Sequence, residues 1–182
     1  MPFSFSSING RLVGQWLCVV MGLLLAASAS AATYTWNQAS GNWDTSTSNW
    51  TGLTWPTTGA HDAVIAGTPN STITIATTGI QATSLTFNVN GDTIAGSVSN
   101  NLTLLVASNF ISIGSGLSAT ISAPLAGTQG LTKTGAGTLF LSNASNPYTG
   151  TTTVSGGTLV MSGTQASAAF ALAGGTLRVD AG

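Results

Sequence analysis

The sequence predicts an all-β protein built as a parallel β-helix, a solenoid in which each coil of the chain lies on the coil before it. Only 4% of the 182 residues are charged although 43% are hydrophobic, whereas a typical soluble domain has roughly a quarter of its residues charged. Short segments alternate apolar and hydroxyl side chains, and the clearest of them recur at a regular spacing. Together, low charge, alternation and regular spacing predict stacked strands.

The first thirty-one residues have the parts of an export signal. Arg11 supplies positive charge, residues 16–27 are apolar, and the small residues around Ala31 suit cleavage after that position. A membrane anchor is the alternative, but the apolar segment is shorter than the ~20 residues that a spanning helix needs. Since Cys18 is the only cysteine, the mature protein would contain no disulfide. We therefore expect a protein exported through the inner membrane by the general secretion machinery.

Residues 32–66 are predicted to form a tryptophan-rich N-terminal cap. This segment contains Trp36, Trp43, Trp50 and Trp55. If exposed, their flat apolar rings could stack on sugar rings, which makes them candidate glycan contacts. The first coil of a solenoid has no neighbour on one side, however, and needs a cover. The position of the cluster favours this second interpretation.

Residues 67–182 are predicted to form the coils. Segments in this region alternate apolar and polar side chains, as half-buried strands do, and Gly, Asn and Pro separate them. The segments are 71–78, 84–89, 101–106, 119–123, 137–142, 151–162 and 175–179.

The spacing of these segments distinguishes a solenoid from other all-β folds. The tripeptide Gly-Thr-Leu begins at Gly137, Gly157 and Gly175, which are nearly evenly spaced. Weaker equivalents place Leu85, Leu102 and Ile121 before Leu139, Leu159 and Leu177. A period of roughly 20 residues is typical of stacked repeats, whereas strands of a β-sandwich recur about every 8–12 residues. We expect these leucines to stack inside, threonines outside and glycines at corners; a β-sandwich or jelly roll remains the alternative.

One part of the coil region, residues 130–163, has a denser motif. Its motif residues are Gly130, Leu131, Lys133, Gly135, Gly137, Thr138, Leu139, Tyr148, Gly150, Val154, Gly157, Thr158 and Leu159. In this pattern the segment resembles the autotransporter-associated β-strand repeat, also called the passenger-associated transport repeat. The tryptophan-rich start also looks like the beginning of such exported proteins.

The resemblance implies a right-handed β-helix within a secreted passenger region. It also implies a partner, an outer-membrane β-barrel translocator, and a location at the cell surface, in the outer membrane or outside the cell. Only one full repeat is present and no barrel follows it, so we expect the N-terminal part of a longer protein or a truncated reading frame. The expected function is a non-catalytic, structural or export-promoting passenger. The alternative is an adhesin or carbohydrate-binding module that contacts a surface polysaccharide or a host cell surface.

Catalytic residues are not expected. His61 neighbours Asp62, but adjacent residues of a strand point to opposite faces, so a structural histidine is preferred to a catalytic triad. A β-helical polysaccharide-degrading enzyme, the second alternative, would need clustered carboxylates. The aspartates instead lie far apart in sequence, and Asp92 is expected in a turn. Asp44, Asp62, Asp92 and Asp180 are the only acidic residues.

Cofactors, metals and nucleic acids are not expected as ligands either. The formal net charge of −1 offers little attraction to a phosphate backbone. The sequence has no calcium-binding loop and no cluster of cysteine and histidine with zinc-ligand spacing. The sequence therefore predicts a protein that acts through its surface and its fold.

Overall fold

The computed structural model describes residues 31–166 and 169–180. The predicted signal peptide, residues 1–31, lies outside these ranges except for Ala31. Within them the regular structure consists of nineteen short β-strands. No helix in the described part of the chain is long and apolar enough to cross a membrane.

Two seven-stranded sheets form two sides of the molecule. The first sheet contains β1 (Ala32–Trp36), β3 (His61–Ile65), β6 (Ser84–Phe87), β9 (Phe110–Ile113), β12 (Leu131–Thr134), β15 (Thr152–Val154) and β18 (Phe170–Leu172). The second sheet contains β2 (Gly41–Trp43), β4 (Thr72–Ile75), β7 (Asp92–Ala95), β10 (Ser118–Ile121), β13 (Thr138–Leu141), β16 (Thr158–Met161) and β19 (Thr176–Val179).

Shorter strands form the third side. The third sheet contains β5 (Ile80–Ala82), β8 (Leu102–Leu104) and β11 (Leu125–Ala126), and the fourth contains β14 (Ser145–Asn146) and β17 (Thr164–Gln165). The chain therefore makes five three-sided coils: coil 1 (β3–β5), coil 2 (β6–β8), coil 3 (β9–β11), coil 4 (β12–β14) and coil 5 (β15–β17). Strands β18 and β19 begin a sixth coil.

Neighbouring strands of every sheet run parallel. Each strand pairs with the equivalent strand of the next coil rather than with the strand that follows it in sequence, as in β3 with β6 and β6 with β9. A sandwich of hairpin-connected strands would pair them antiparallel. The predicted parallel β-solenoid is confirmed, and the β-sandwich alternative is wrong.

The predicted stacking of the Gly-Thr-Leu segments is confirmed in the second sheet. Leu139 pairs with Leu159, and Leu159 with Leu177. Leu139 and Leu159 are fully buried. The threonine before each leucine also pairs with its equivalent, and these threonines lie on the outer face, half-buried or exposed. Leucine columns inside and threonine columns outside thus repeat from coil to coil.

The earlier part of the expected leucine column is wrong. Leu85 lies in the first sheet, Leu102 in the third and Ile121 in the second. Coil 2 is longer than the coils that carry Gly-Thr-Leu, because it extends from Ser84 to the residue that pairs with it, Phe110. Counting forward from Leu85 by the Gly-Thr-Leu spacing therefore does not complete coil 2. The count reaches Leu102, which lies on a different side of the solenoid.

The tryptophan-rich segment continues the sheets at the N-terminal end. Strand β1 pairs with β3 of coil 1, and β2 pairs with β4. Antiparallel bridges join Trp36 to Trp50 and Trp50 to Leu53, so the intervening chain folds back over the end of coil 1. The boundaries at residues 31 and 66 stay predictions.

Candidate functional site

The N-terminal end of the solenoid is covered by an aromatic cluster. The cluster consists of Trp36, Trp43, Trp50 and Trp55, each at most 1% exposed. Neighbouring indole rings have centroids 4.7–5.3 Å apart and lie tilted or edge-to-face, an arrangement that aromatic pairs favour. Two indole N–H groups bond to the backbone: that of Trp36 to the carbonyl of Ala39, and that of Trp55 to Gln81 of coil 1.

Burial of these rings argues against glycan contacts, which the sequence made a less favoured alternative to a cover for the first coil. A sugar can stack only on an aromatic face that solvent reaches, and none of the four tryptophans presents one. The rings instead pack on one another and belong to the same hydrophobic core as Ile65 and Ile75. The cluster therefore covers the apolar end of the first coil.

His61 lies at the edge of this cluster and does not form a catalytic pair with Asp62. Its Nε2 lies 2.9 Å from the carbonyl oxygen of Thr58, and its ring meets that of Tyr34 edge-on at 5.3 Å. The carboxylate of Asp62 accepts a hydrogen bond from the hydroxyl of Ser84 instead. The two side chains have separate partners, as the strand alternation predicts.

The repeat segment forms coil 4 and most of coil 5, with motif residues in three structural positions. Leu131, Leu139, Tyr148, Val154 and Leu159 are buried. Thr138 and Thr158 lie on the outer face. Gly130, Gly135, Gly137, Gly150 and Gly157 lie at corners between strands. The motif therefore describes the inner column, the outer column and the corners of two successive coils.

The corner glycines are needed where successive coils touch. Gly135 has φ +71°, and a Cβ there would lie 2.2 Å from the carbonyl oxygen of Ile113 in coil 3. A Cβ at Gly130 would lie equally close to the carbonyl oxygen of Thr151. Real Cβ atoms do not approach backbone atoms this closely, so only glycine allows the corners to stack.

Lys133 occupies an inward position that is apolar in the neighbouring coils. It pairs with Ile111 of coil 3 and Val154 of coil 5, and its side chain is 0% exposed. Its ammonium group donates to three backbone carbonyl oxygens, those of Thr134 at 2.6 Å, Gly135 at 2.9 Å and Gly156 at 3.1 Å. Burial lowers the pKa of Lys133 to about 8. At neutral pH the group therefore remains mostly charged.

Two buried asparagines also join successive coils, although the sequence pattern indicated asparagine only as a residue that separates strands. Asn109 accepts a hydrogen bond from the N–H of Val106 and donates to the carbonyl of Gly130 in the corner before β12. Asn146 accepts from the N–H of Leu125, one coil earlier. Neither asparagine lies in a strand segment that the sequence predicts, so the sequence did not identify them.

Asp92 is buried in the inner column of the second sheet, so its prediction as a turn residue is wrong. It pairs with Ala119 of the next coil and is 0% exposed. Its Oδ1 accepts a hydrogen bond from the N–H of Ser71 at 2.9 Å, whereas Oδ2 has no hydrogen-bond partner among the described residues. Burial raises the pKa of Asp92, although the N–H groups of Ser71 and Asn70 lower it. The preceding residues 88–91 do form the turn that the sequence indicates.

The other aspartates each have a local partner. Asp44 accepts hydrogen bonds from the N–H and hydroxyl groups of Ser46 and Thr47. Asp180 forms an ion pair with Arg178, N to O 2.9 Å. Within residues 31–166 and 169–180, no group of three or more histidine, cysteine or acidic side chains is placed to hold a metal ion.

A groove of about 450 Å³ lies on the third side, where the third sheet gives way to the fourth. Its apolar walls are Val98, Pro124, Ala144 and Pro147. Asn143 contributes an amide, but this side chain already bonds to the carbonyl of Ser122 and to the N–H of Ser145. With an uncharged lining, the groove has no group that would select an ionic ligand.

Comparison with known proteins agrees with the repeat geometry. Residues 131–161 match the family model Passenger-associated-transport-repeat, so the chain contains one such repeat. The chain is also 39% identical over 112 residues, 62% of its length, to a protein named Adhesin BmaC autotransporter from Brucella suis biovar 1 (strain 1330). The matched part spans 3% of that relative's length. No solved structure gives a significant match.

Proposed function

We propose that this chain is a non-catalytic, export-promoting β-solenoid region of an autotransporter passenger. The observation that carries the proposal is that the matched repeat, residues 131–161, forms coil 4 and most of coil 5, which stack without interruption on coil 3. Its partner would be an outer-membrane β-barrel translocator in the same polypeptide. The passenger would then be displayed at the cell surface or released from it.

The stacking of equivalent side chains from coil to coil gives a physical reason for a role in export. In a solenoid each coil contacts mainly its two neighbours, so a folded coil provides the surface on which the next one folds. Burial of Leu139 against Leu159 removes apolar surface from water and stabilises each added coil. Folding outside the membrane would therefore oppose backward movement of the chain.

The proposal is tested by surface display of the parent polypeptide in its own host. Leu139→Asp places a charge in the inner column, so we expect coils 4 and 5 to unfold and the display to fall severalfold. Thr138→Asp is the matched control, because this neighbouring residue lies on the outer face of the same strand. Display is measured as the fraction of passenger that added protease cleaves on intact cells. Equal display of both variants would contradict an export role for coil folding.

Adhesion is a second candidate function, favoured by similarity to a protein named as an adhesin. The contact surface would lie on the outer faces or in the uncharged groove, because the four tryptophans of the cap are buried. Here the relevant ligands would be neutral, such as an uncharged surface polysaccharide.

Adhesion is tested with the purified chain coupled to beads. We expect beads carrying the folded chain to retain cells or neutral polysaccharide several times better than beads carrying the urea-unfolded chain. Soluble folded chain should compete for this binding. Equal retention by folded and unfolded chain would remove adhesion as a candidate.

A further inference from the structure

We propose that Lys133 fixes the register in which coil 5 stacks on coil 4. The side chain begins on β12 of coil 4, and its ammonium group contacts the corners of both coils. Thr134 is the last residue of β12, Gly135 lies in the corner that follows it, and Gly156 belongs to the equivalent corner of coil 5. The inference concerns how the coils align and does not depend on a role in export.

Apolar burial alone does not define this register. A slip of one residue would turn every inner side chain outward, which burial prevents. A slip of two residues, however, keeps inner residues inside. Coil length does not exclude such a slip, because coils of this solenoid differ in length. In the second sheet Asp92 pairs with Ala119, whereas Thr158 pairs with Thr176, which is nearer to it in sequence.

The hydrogen bonds of Lys133 do distinguish a two-residue slip. Such a slip would move the carbonyl oxygen of Gly156 by roughly 6–7 Å along the strand direction. The ammonium group would then keep its two partners in coil 4 and lose the third. Since a buried donor without an acceptor is strongly unfavourable, the native register is selected over the slipped one.

The surroundings leave the ammonium group few other partners. Its neighbours in the inner column are Ile111 and Val154, and among the described residues no carboxylate lies within 4.0 Å of its Nζ. The corners also approach each other closely, because a Cβ on Gly156 would lie 3.3 Å from the carbonyl oxygen of Gly135. Three carbonyl groups from two coils therefore converge on one cation.

The test measures register through disulfide formation in the full chain, in a Cys18→Ser background. Thr132 and Thr153 are directly paired, so cysteines at these positions report the native register. Cysteines at positions 132 and 155 report a two-residue slip, because paired strands place them beyond disulfide reach in the native register. With Lys133 present, we expect the native pair to form and the slipped pair to be scarcely detectable.

Replacing the lysine should allow the slipped register. In Lys133→Met, which keeps a long apolar chain but no donor, we expect the slipped disulfide to rise roughly tenfold or more, in line with the loss of a buried hydrogen-bond partner. Leu131→Met is the matched control on the same strand, and it should leave the slipped disulfide at the original level. A folded Lys133→Met chain that forms only the native disulfide would overturn the proposal.

A second variant keeps the test decisive if Lys133→Met does not fold. Lys133→Gln has a shorter side chain with two N–H donors for three carbonyl oxygens, so at least one of these bonds is lost and its slipped disulfide should rise above the level of the original chain. Detection of this disulfide in Lys133→Gln supports the assignment. Its absence from folded Lys133→Gln would overturn it.

Discussion

At the scale of single residues, Asp92 and Asp44 are carboxylates with opposite environments. Burial raises the pKa of Asp92 above its ordinary value, and this outweighs its backbone hydrogen bonds. Burial also raises the pKa of Asp44, but hydrogen bonds from Thr47 and Ser46 outweigh it, so the net pKa is lowered. The folded state therefore holds the Asp92 proton more tightly than the unfolded state does, and the Asp44 proton less tightly.

These shifts predict opposite pH effects on stability. For Asp92, the folded state binds more protons between the unfolded and folded pKa, so its contribution to stability falls as pH rises through that interval. Asp92→Asn keeps an acceptor for the N–H of Ser71 without the charge. We expect this variant to gain stability relative to the original chain as pH rises from 3 to 7, measured by urea unfolding.

Asp44→Asn serves as the opposite control. Because its folded pKa is lowered, Asp44 stabilises the protein above the unfolded pKa, and this contribution is lost as pH falls through the folded pKa. Asp44→Asn should thus be less stable than the original chain at pH 7 and similar to it at the lowest pH. The same sign for both variants would contradict the assigned environments.

Trp50 is the central ring of the N-terminal cluster, with Trp36, Trp43 and Trp55 as neighbours. Trp50→Ala should lower the free energy of unfolding by about 3–5 kcal/mol, because it leaves a large cavity in a buried cluster. Leu53→Ala is the control: this nearby side chain is 57% exposed, and its truncation should change stability by less than about 0.5 kcal/mol. Urea unfolding followed by circular dichroism measures both, and equal losses would contradict the burial of Trp50.

At the scale of elements, the corners between strands set how closely coils stack. Gly135 and Gly116 have nearly the same positive φ, +71° and +73°. A Cβ would meet the carbonyl oxygen of Ile113 at Gly135, whereas at Gly116 nothing lies within 4 Å. A side chain at Gly116 would thus strain only the backbone, whereas a side chain at Gly135 would also collide with the neighbouring coil.

Alanine substitutions at these glycines test this difference. Gly116→Ala should cost about 1–2 kcal/mol, the strain of a left-handed backbone with a Cβ. Gly135→Ala should cost clearly more, because coil 3 and coil 4 must also move apart. Thermal and urea unfolding of both variants measure the difference. Equal destabilisation would show that the corner contact contributes nothing.

At the scale of the whole molecule, the protein is a row of nearest-neighbour coils whose N-terminal end is covered by the tryptophan cluster. All four described tryptophans lie at the N-terminal end, so their fluorescence reports that end alone. Strand content measured by circular dichroism reports every coil. The two signals can therefore follow different parts of the solenoid.

A charge introduced in coil 5 should separate these signals. In Leu159→Asp, built on a Trp16→Phe background because Trp16 lies outside the described residues, we expect lost strand signal but unchanged tryptophan emission, since solenoid coils depend mainly on their neighbours. Thr158→Asp, on the outer face of the same strand, should change neither signal. Simultaneous loss of both signals in Leu159→Asp would indicate that the solenoid unfolds as one cooperative unit.

The all-β class, the parallel solenoid and the stacking of Leu139, Leu159 and Leu177 could be predicted from the sequence. These follow from alternation, glycine positions and spacing, which are local properties of the chain. The spacing failed for Leu85, Leu102 and Ile121, because the length of each early coil depends on its corners. The tryptophans face inward, as their predicted place in a cap suggests, whereas the burial of Lys133 and Asp92 became evident only from the folded chain. The physical reason is that burial and hydrogen bonding of a side chain depend on the coil that covers it, and that coil lies a full turn of the solenoid away along the chain.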